Sequence, residues 1–485
     1  MTATRTTLHP KIVNQTQLRA GFAETLSGLY GREVPAYTTL LDVSHAVNAD
    51  VADAMGADAE RLGSLDRVTA ERHGAIRVGT PAELEQVARI FAALGMYPTG
   101  FYDLRDASAG AVPVVSTAFR PISAPELARN PFRVFTSLLA TGDRRFFPAD
   151  LSRRLENFLA DRQLFGPRLL QLADRAVDDG GLHTSDADQF LALAAGSFAL
   201  SPEPIDRAWY TELEKVSAVA ADIGGVRSTH INHLTPRVLD IDDLYSRMSG
   251  HGIAMIDAIQ GPPRWSGPDV LLRQTSFRAL AEPRLFREID GTVASGALRV
   301  RFGEVEARGI ALTPAGRLRY DRAMAEVDAL PVVSTDGEAA AHVWRRYFPG
   351  FESQLFDQDL GQYTVTAMHH AADGRAPGGS VAELVRAGWL RAEPIVYEDF
   401  LPRSAAGIFQ SNLSDAGSKD DSVQGTALDE QWMEGVLGAT LHDPYQLYRA
   451  QHEVSVRTAL TTLGLPDVVA MPDASESGGT TSCPA

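Results

Sequence analysis

At 485 residues the chain is longer than one ordinary hydrophobic core supports, so two or three domains or one elaborated domain are expected. Hydrophobic residues make up 44%, and a formal charge of −17 excludes a broad nucleic-acid surface while still allowing a few arginines to hold a small anion. The single cysteine, Cys483, lies in the C-terminal tail, which excludes an internal disulfide, a thiolate metal site and a cysteine nucleophile in the core. No apolar run reaches membrane length and no basic-then-apolar leader opens the sequence, so a cytoplasmic protein without membrane contact is expected. Composition leaves homo-oligomerisation open.

Residues 1–60 read as a mainly helical N-terminal region, with an amphipathic start over 17–30. A first β-α-β module is expected over 61–120. Its opening strand covers 73–78, and Thr80-Pro81-Ala82-Glu83 then forms a helix start in which threonine caps, proline suits the first turn and glutamate completes a capping box. Leu84, Val87, Phe91 and Leu94 give that helix its apolar face, and strands follow over 97–104 and 112–119.

The pattern changes over 121–225, where Leu151, Leu155, Phe158 and Leu159 recur at helical spacing, as do Trp209, Leu213 and Val216. This stretch reads as a helical insertion with no further sheet. A second module is expected over 226–312, opening with a strand over 227–238 that Pro236 terminates and followed by a helix capped by Asp240. Short strands at 270–275 and 297–306 complete it. Residues 313–473 read as a helical and mixed C-terminal region, and 474–485 as a loose tail. The order and spacing give a β-α-β-β-β arrangement twice, an α+β fold interrupted by helices.

Three stretches carry candidate chemistry: E-R-H-G-A-I-R at 71–77, T-H-I-N-H-L-T-P-R at 229–237 and R-F-G-E-V-E at 301–306. Together they can supply two imidazoles and a carboxylate, the facial ligand set of non-haem iron(II), which leaves coordination positions for a 2-oxo acid and dioxygen. His73 and Arg77 share one face of a strand, where the imidazole can bind metal and the guanidinium can grip a carboxylate in two places. On residues alone a plainer reading carries more weight: His73 as a strand-edge hydrogen-bonding residue and Arg77 as half of an ion pair. In a regular strand His230 and His233 point to opposite faces, so His230 is taken as the ligand and His233 as a supporting or packing residue. Glu304 and Glu306 share a face. Glu304 is preferred because Gly303 eases close packing, and Glu306 is left to orient Arg299, Arg301 or Arg308, unless both form a charged stripe on an edge strand. The pair His369-His370 sits beside a polar turn and reads as structural.

Taken together, E-R-H-G-A-I-R-V-G at 71–79, T-H-I-N-H-L-T-P-R at 229–237, R-F-G-E-V-E-A-R-G at 301–309 and Y-E-D-F-L-P-R-S-A-A-G-I-F-Q-S-N-L at 397–413 resemble the bacterial 2-oxoadipate dioxygenase/decarboxylase family. That family, also called 2-hydroxyglutarate synthase, lies within the vicinal oxygen chelate superfamily. The resemblance spans most of the chain. It implies paired modules that form a metal-centred, partly closed barrel, with Fe(II) as cofactor and 2-oxoadipate and dioxygen as substrates. The implied reaction yields 2-hydroxyglutarate and carbon dioxide, with a place in lysine breakdown. By the same resemblance His73, His230 and Glu304 match the iron ligands, and Arg77 matches an anchor for a substrate carboxylate. The similar strand of 4-hydroxyphenylpyruvate dioxygenase places its glutamate where Glu304 falls. Arg403 and Ser404 match a substrate-binding loop, in which the family has a small aliphatic residue in place of Arg403. Two other classes compete on the same residues: an oxygen-independent metal-dependent lyase, hydrolase or isomerase, and a non-enzymatic small-acid binding protein.

Overall fold

The run R-H-G-A-I-R-V folds as the strand Arg72–Val78, and all of it is buried. Such a strand needs partners on both sides, and it finds them as the fourth strand of a five-stranded sheet. The order is Tyr97–Asp103, Val114–Arg120, Arg133–Leu139, Arg72–Val78, His233–Pro236. Arg72–Val78 runs parallel to Arg133–Leu139, and the other neighbours are antiparallel. The computed structural model describes residues 12–106, 111–299, 301–330, 337–368, 379–401 and 419–465. Arg403, Ser404, His369, His370 and Cys483 lie outside them.

The helix Pro81–Ala93 begins as its sequence predicts. Thr80 Oγ1 accepts from the Glu83 N–H at 3.2 Å, and a Glu83 carboxylate oxygen accepts from the Thr80 N–H at 3.1 Å. Leu84, Val87 and Phe91 are fully buried beneath it. The helix Ile241–Gly250 also starts at its expected cap, Asp240, whose side chain accepts from the N–H groups of Asp242 and Asp243.

Several strands differ from expectation: the one expected over 297–306 forms as two, Val293–Leu298 and Gly303–Arg308, and Gly181–His183 and Ile205–Asp206 are short strands within the stretch read as helical. Arg133–Leu139 lies in the stretch read as wholly helical, yet its seven residues, all buried, occupy the sheet. A strand covered on both faces shows no polar alternation, so the periodicity of the helices after it dominated the reading. The strand expected over 227–238 is only His233–Pro236. Ahead of it the backbone is irregular: the Ile231 N–H donates to the Phe198 carbonyl at 3.0 Å and the Asn232 N–H to the Ala75 carbonyl at 2.9 Å.

The expected partly closed barrel is not formed. Gly303–Arg308 pairs antiparallel with Leu272–Phe277 as a separate two-stranded sheet. It packs against the His233–Pro236 edge, but the backbone pairing between them is a bridge between Arg237 and Glu306, with the Val238 N–H donating to the Glu306 carbonyl at 2.8 Å. Pro236 has no N–H to continue a ladder. Glu282–Arg287 and Val293–Leu298 fold outward as a hairpin beside Ile205–Asp206 instead of extending the Gly303–Arg308 sheet. The β-α-β-β-β-like modules are present, but the sheets neither close nor curl strongly.

At the far side, the edge strand Tyr97–Asp103 is met by a returning segment. The Gly100 N–H donates to the His442 carbonyl at 2.9 Å and the His442 N–H to the Pro98 carbonyl at 3.0 Å. The ladder with Val114–Arg120 also slips between Thr99 and Phe101, where Gly100 takes a φ of 72°. After Gly303–Arg308 come the helices Pro314–Asp328 and Glu338–Tyr347, in a stretch expected to be helical, with Trp344 fully buried in their core, and then a two-stranded sheet of Tyr363–Ala367 and Leu390–Pro394. Among the described residues no helix is long and apolar enough to cross a membrane.

Candidate metal centre

Antiparallel register decides which histidines meet. His73 stands opposite Thr235 and Ala75 opposite His233, so the two imidazoles are diagonal neighbours on one face of the sheet. Gly303–Arg308, lying against that edge, adds Glu304. Gly303 permits the approach: a Cβ there would fall 1.9 Å from Cε1 of Phe277, its partner across the ladder.

His73, His233 and Glu304 each offer one ligand atom, and these atoms lie within 4.8 Å of one another. His73 Nε2 is 3.8 Å from a Glu304 oxygen and His233 Nδ1 is 3.3 Å from the same oxygen. All three residues are buried. The imidazole planes stand nearly perpendicular, 87°, with centroids 5.4 Å apart. Phe302 stacks on His233 and Phe400 sets its edge against His73, so the cluster has aromatic walls.

Electrostatics separates the two glutamates. Both Glu306 oxygens meet Arg308, at 2.5 Å to Nε and 3.0 Å to Nη2. Burial alone would raise the Glu306 carboxyl, but Arg308, then His73 and Arg133, bring it down to about 2. Glu304 has only imidazoles as ion-pair partners among the described residues, and burial holds its carboxyl above the ordinary value against the pull of His73. A buried carboxylate with no guanidinium, facing two imidazoles, is the one with oxygen lone pairs left for a cation. The His233 imidazole is pushed well down by burial and then by His73, which favours the neutral, ligating form. Two imidazoles and one carboxylate on a buried face fit a ferrous ion.

His230, the ligand expected from sequence, does not join this cluster. Its Nε2 lies 3.3 Å from Asp222 and 3.1 Å from the Asn232 amide, and its side chain lines a separate cleft of about 610 Å³ with Asp222, Arg227 and Arg284. The strand begins at His233, so strand alternation does not extend back through the irregular residues 229–232, and it is His233 that the structure brings to His73 and Glu304. Arg77 is where expected, on the His73 face two positions beyond Ala75, and its Nη1 donates to Asp222 in a buried ion pair. Asp222 also accepts from the Asn232 amide at 3.0 Å, so one carboxylate steadies Arg77 and the residue beside His233. Asp222 was not among the residues expected from the sequence. Its signal was there: a lone acid in the otherwise apolar helix A-V-A-A-D-I-G, Ala218–Gly224.

Residues 22–412 match the sequence family described as 2-oxoadipate dioxygenase/decarboxylase. The chain belongs to that family. Among curated 2-oxoadipate dioxygenase/decarboxylases, that of Mycobacterium bovis is 57% identical over 434 residues, covering 90% of this chain and 96% of the relative. That of Escherichia coli is 40% identical over 453 residues, covering 91% and 97%. The crystal structure of the Pseudomonas putida hydroxyglutarate synthase in complex with 2-oxoadipate superposes with a TM-score of 0.81 at 36% identity, covering 94% of this chain and 99% of that one. The family thus extends across the whole architecture that gathers the metal centre.

Proposed function

We propose that the chain is an Fe(II)-dependent 2-oxoadipate dioxygenase/decarboxylase, which converts 2-oxoadipate and dioxygen to 2-hydroxyglutarate and carbon dioxide. One observation carries the reading to this molecule: a chain of that family brings two imidazoles and an otherwise uncommitted carboxylate within 4.8 Å on a buried face. In this reading His73, His233 and Glu304 hold the metal. Ferrous iron, when bound, supplies the redox chemistry that couples loss of C1 to incorporation of both oxygen atoms, work that side chains cannot do.

The protein's own part is to hold, orient and keep dry. Arg77 lies four residues from His73 on one strand, roughly 13 Å along the backbone, and its guanidinium shares the Asp222 carboxylate with Asn232, the residue beside His233. It grips a substrate carboxylate while Asp222 fixes the guanidinium from behind. Displacing the reacting carbon by about an ångström costs on the order of 100-fold in rate, so this anchorage bears on turnover as well as affinity. Phe302 and Phe400 exclude water around the imidazoles. Arg403 and Ser404 are proposed as further substrate contacts on the strength of their sequence motif. A cytoplasmic setting is proposed too, supported by a single cysteine in 485 residues.

The test is a reconstitution assay. Protein stripped of metal and reloaded with Fe(II) under anaerobic conditions is expected to consume one dioxygen and release one carbon dioxide and one 2-hydroxyglutarate per 2-oxoadipate. Product formed equally well without oxygen, or with Zn(II) in place of Fe(II), would select a lyase or hydrolase instead. Saturable 2-oxoadipate binding with no turnover would leave only a binding protein.

A further inference from the structure

Glu304, Glu306 and Arg308 alternate along Gly303–Arg308 and so share one face, and the same alternation places Arg133 directly across the sheet from His73. Glu306 therefore sits between a histidine of the metal centre and two guanidiniums. Its Oε2 is 3.1 Å from His73 Nδ1, and its Oε1 is 3.5 Å from Arg133. His73 has one carboxylate on each ring nitrogen: Glu304 on the Nε2 side and Glu306 on the Nδ1 side. The Nδ1 contact lies at ion-pair distance without the alignment of a full hydrogen bond.

We infer that Glu306 is a positioning residue for the metal centre: clamped by Arg308 and Arg133, it holds the proton of His73 on Nδ1 and so presents Nε2 to the ion. This inference rests on reading His73 as a ligand. The side chains concerned are all buried, so their charges interact through protein and not through water. Glu306 cannot turn to bind the ion itself without giving up Arg308, which would leave a buried guanidinium short of its partner.

Arg308 extends the clamp further. Its Nη1 donates to the backbone carbonyls of Tyr397 at 2.7 Å and Asp399 at 3.0 Å. The chain fixed in this way carries Phe400, whose ring meets His73 edge-on at 4.9 Å. A single guanidinium thus sets both the carboxylate on one side of the imidazole and the aromatic wall on another.

The experiment compares Glu306→Gln, Glu306→Asp and Arg308→Lys with the parent, using Co(II) as a spectroscopic stand-in for iron. Glu306→Gln is expected to weaken metal binding by roughly 10- to 100-fold in chelator competition and to shift the Co(II) ligand-field bands. It should lower kcat more than it raises KM for 2-oxoadipate, and Glu306→Asp, which keeps the charge, should recover part of the affinity. Parental metal affinity and an unchanged Co(II) spectrum in folded Glu306→Gln would overturn the inference. Should that variant not fold, an unchanged Co(II) spectrum and affinity in Arg308→Lys would do so. Parallel His73→Ala and His233→Ala proteins separate the two readings. If they keep their metal, the ligand assignment itself fails; if they lose it while Glu306→Gln does not, only the positioning role fails.

Discussion

His230 and His233 are three positions apart in one motif, yet one faces Asp222 and a cleft while the other faces His73 and Glu304. That contrast makes a clean pair of substitutions. His233→Ala is expected to abolish stoichiometric metal binding, whereas His230→Ala should retain the metal and alter only the surroundings of Asp222. Metal content of the two purified, reconstituted proteins decides between them. At this scale the sequence was partly legible. His73 and Arg77 lie on a strand that formed where expected; Glu304 keeps its face although the strand expected over 297–306 begins only at Gly303, the residue that marks the close approach. Which histidine joined them depended on where a strand began, and neighbouring residues of the same polarity carry no mark of that.

Helix starts were the most legible elements because a capping box is local chemistry: Thr80 and Glu83 satisfy each other's N–H groups without help from distant residues. Thr80→Ala is expected to cost about 1 kcal/mol of folding stability, read from the denaturant midpoint, with little change in metal affinity, since the helix packs away from the imidazoles. Strands were less legible. Arg133–Leu139 was hidden by its own complete burial, although Arg133 within an apolar run announces a buried ion pair. The barrel failed for a related reason. Strand order can be read along the chain, but closure depends on register between segments far apart in sequence, and here Pro236 reduces that backbone pairing to a bridge.

Across the whole molecule, buried ion pairs tie distant segments together. Glu71 receives Arg133 and Arg237 at 2.7 and 3.1 Å, and Arg120 holds Asp399 at 2.7 Å. A second cluster centres on Asp143, which accepts from Arg105 at 2.9 Å and Arg145 at 2.7 Å, while the same Arg105 nitrogen donates to the Thr426 carbonyl. Burial alone would raise the Asp143 carboxyl, but Arg145, then Arg105, hold it below the ordinary aspartate value. A folded-state pKa below the unfolded one stabilises the fold above about pH 3.9, and that contribution fades as pH falls through the folded value. Asp143→Asn is therefore expected to cost roughly 1–3 kcal/mol at neutral pH, with parent and variant converging in denaturation curves below about pH 4. Metal binding is linked to folding in the same sense, because its donors come from three separated stretches of chain. Chelation should lower the apparent Tm, with about 2.7 kcal/mol at stake when free metal stands at a hundred times Kd. Restoring Fe(II) should return it, and a Tm indifferent to metal would count against a folded-state site.

The Tyr97–Asp103 margin also bears on how copies of this chain can associate. The Gly100 N–H and the Pro98 carbonyl are already engaged by His442, Pro98 has no N–H to offer, and the ladder slips between Thr99 and Phe101. An incoming strand from another molecule would have to displace the His442 segment to pair with Pro98–Gly100. Self-assembly through these three residues is thereby blocked, at the margin of the sheet farthest from the two imidazoles.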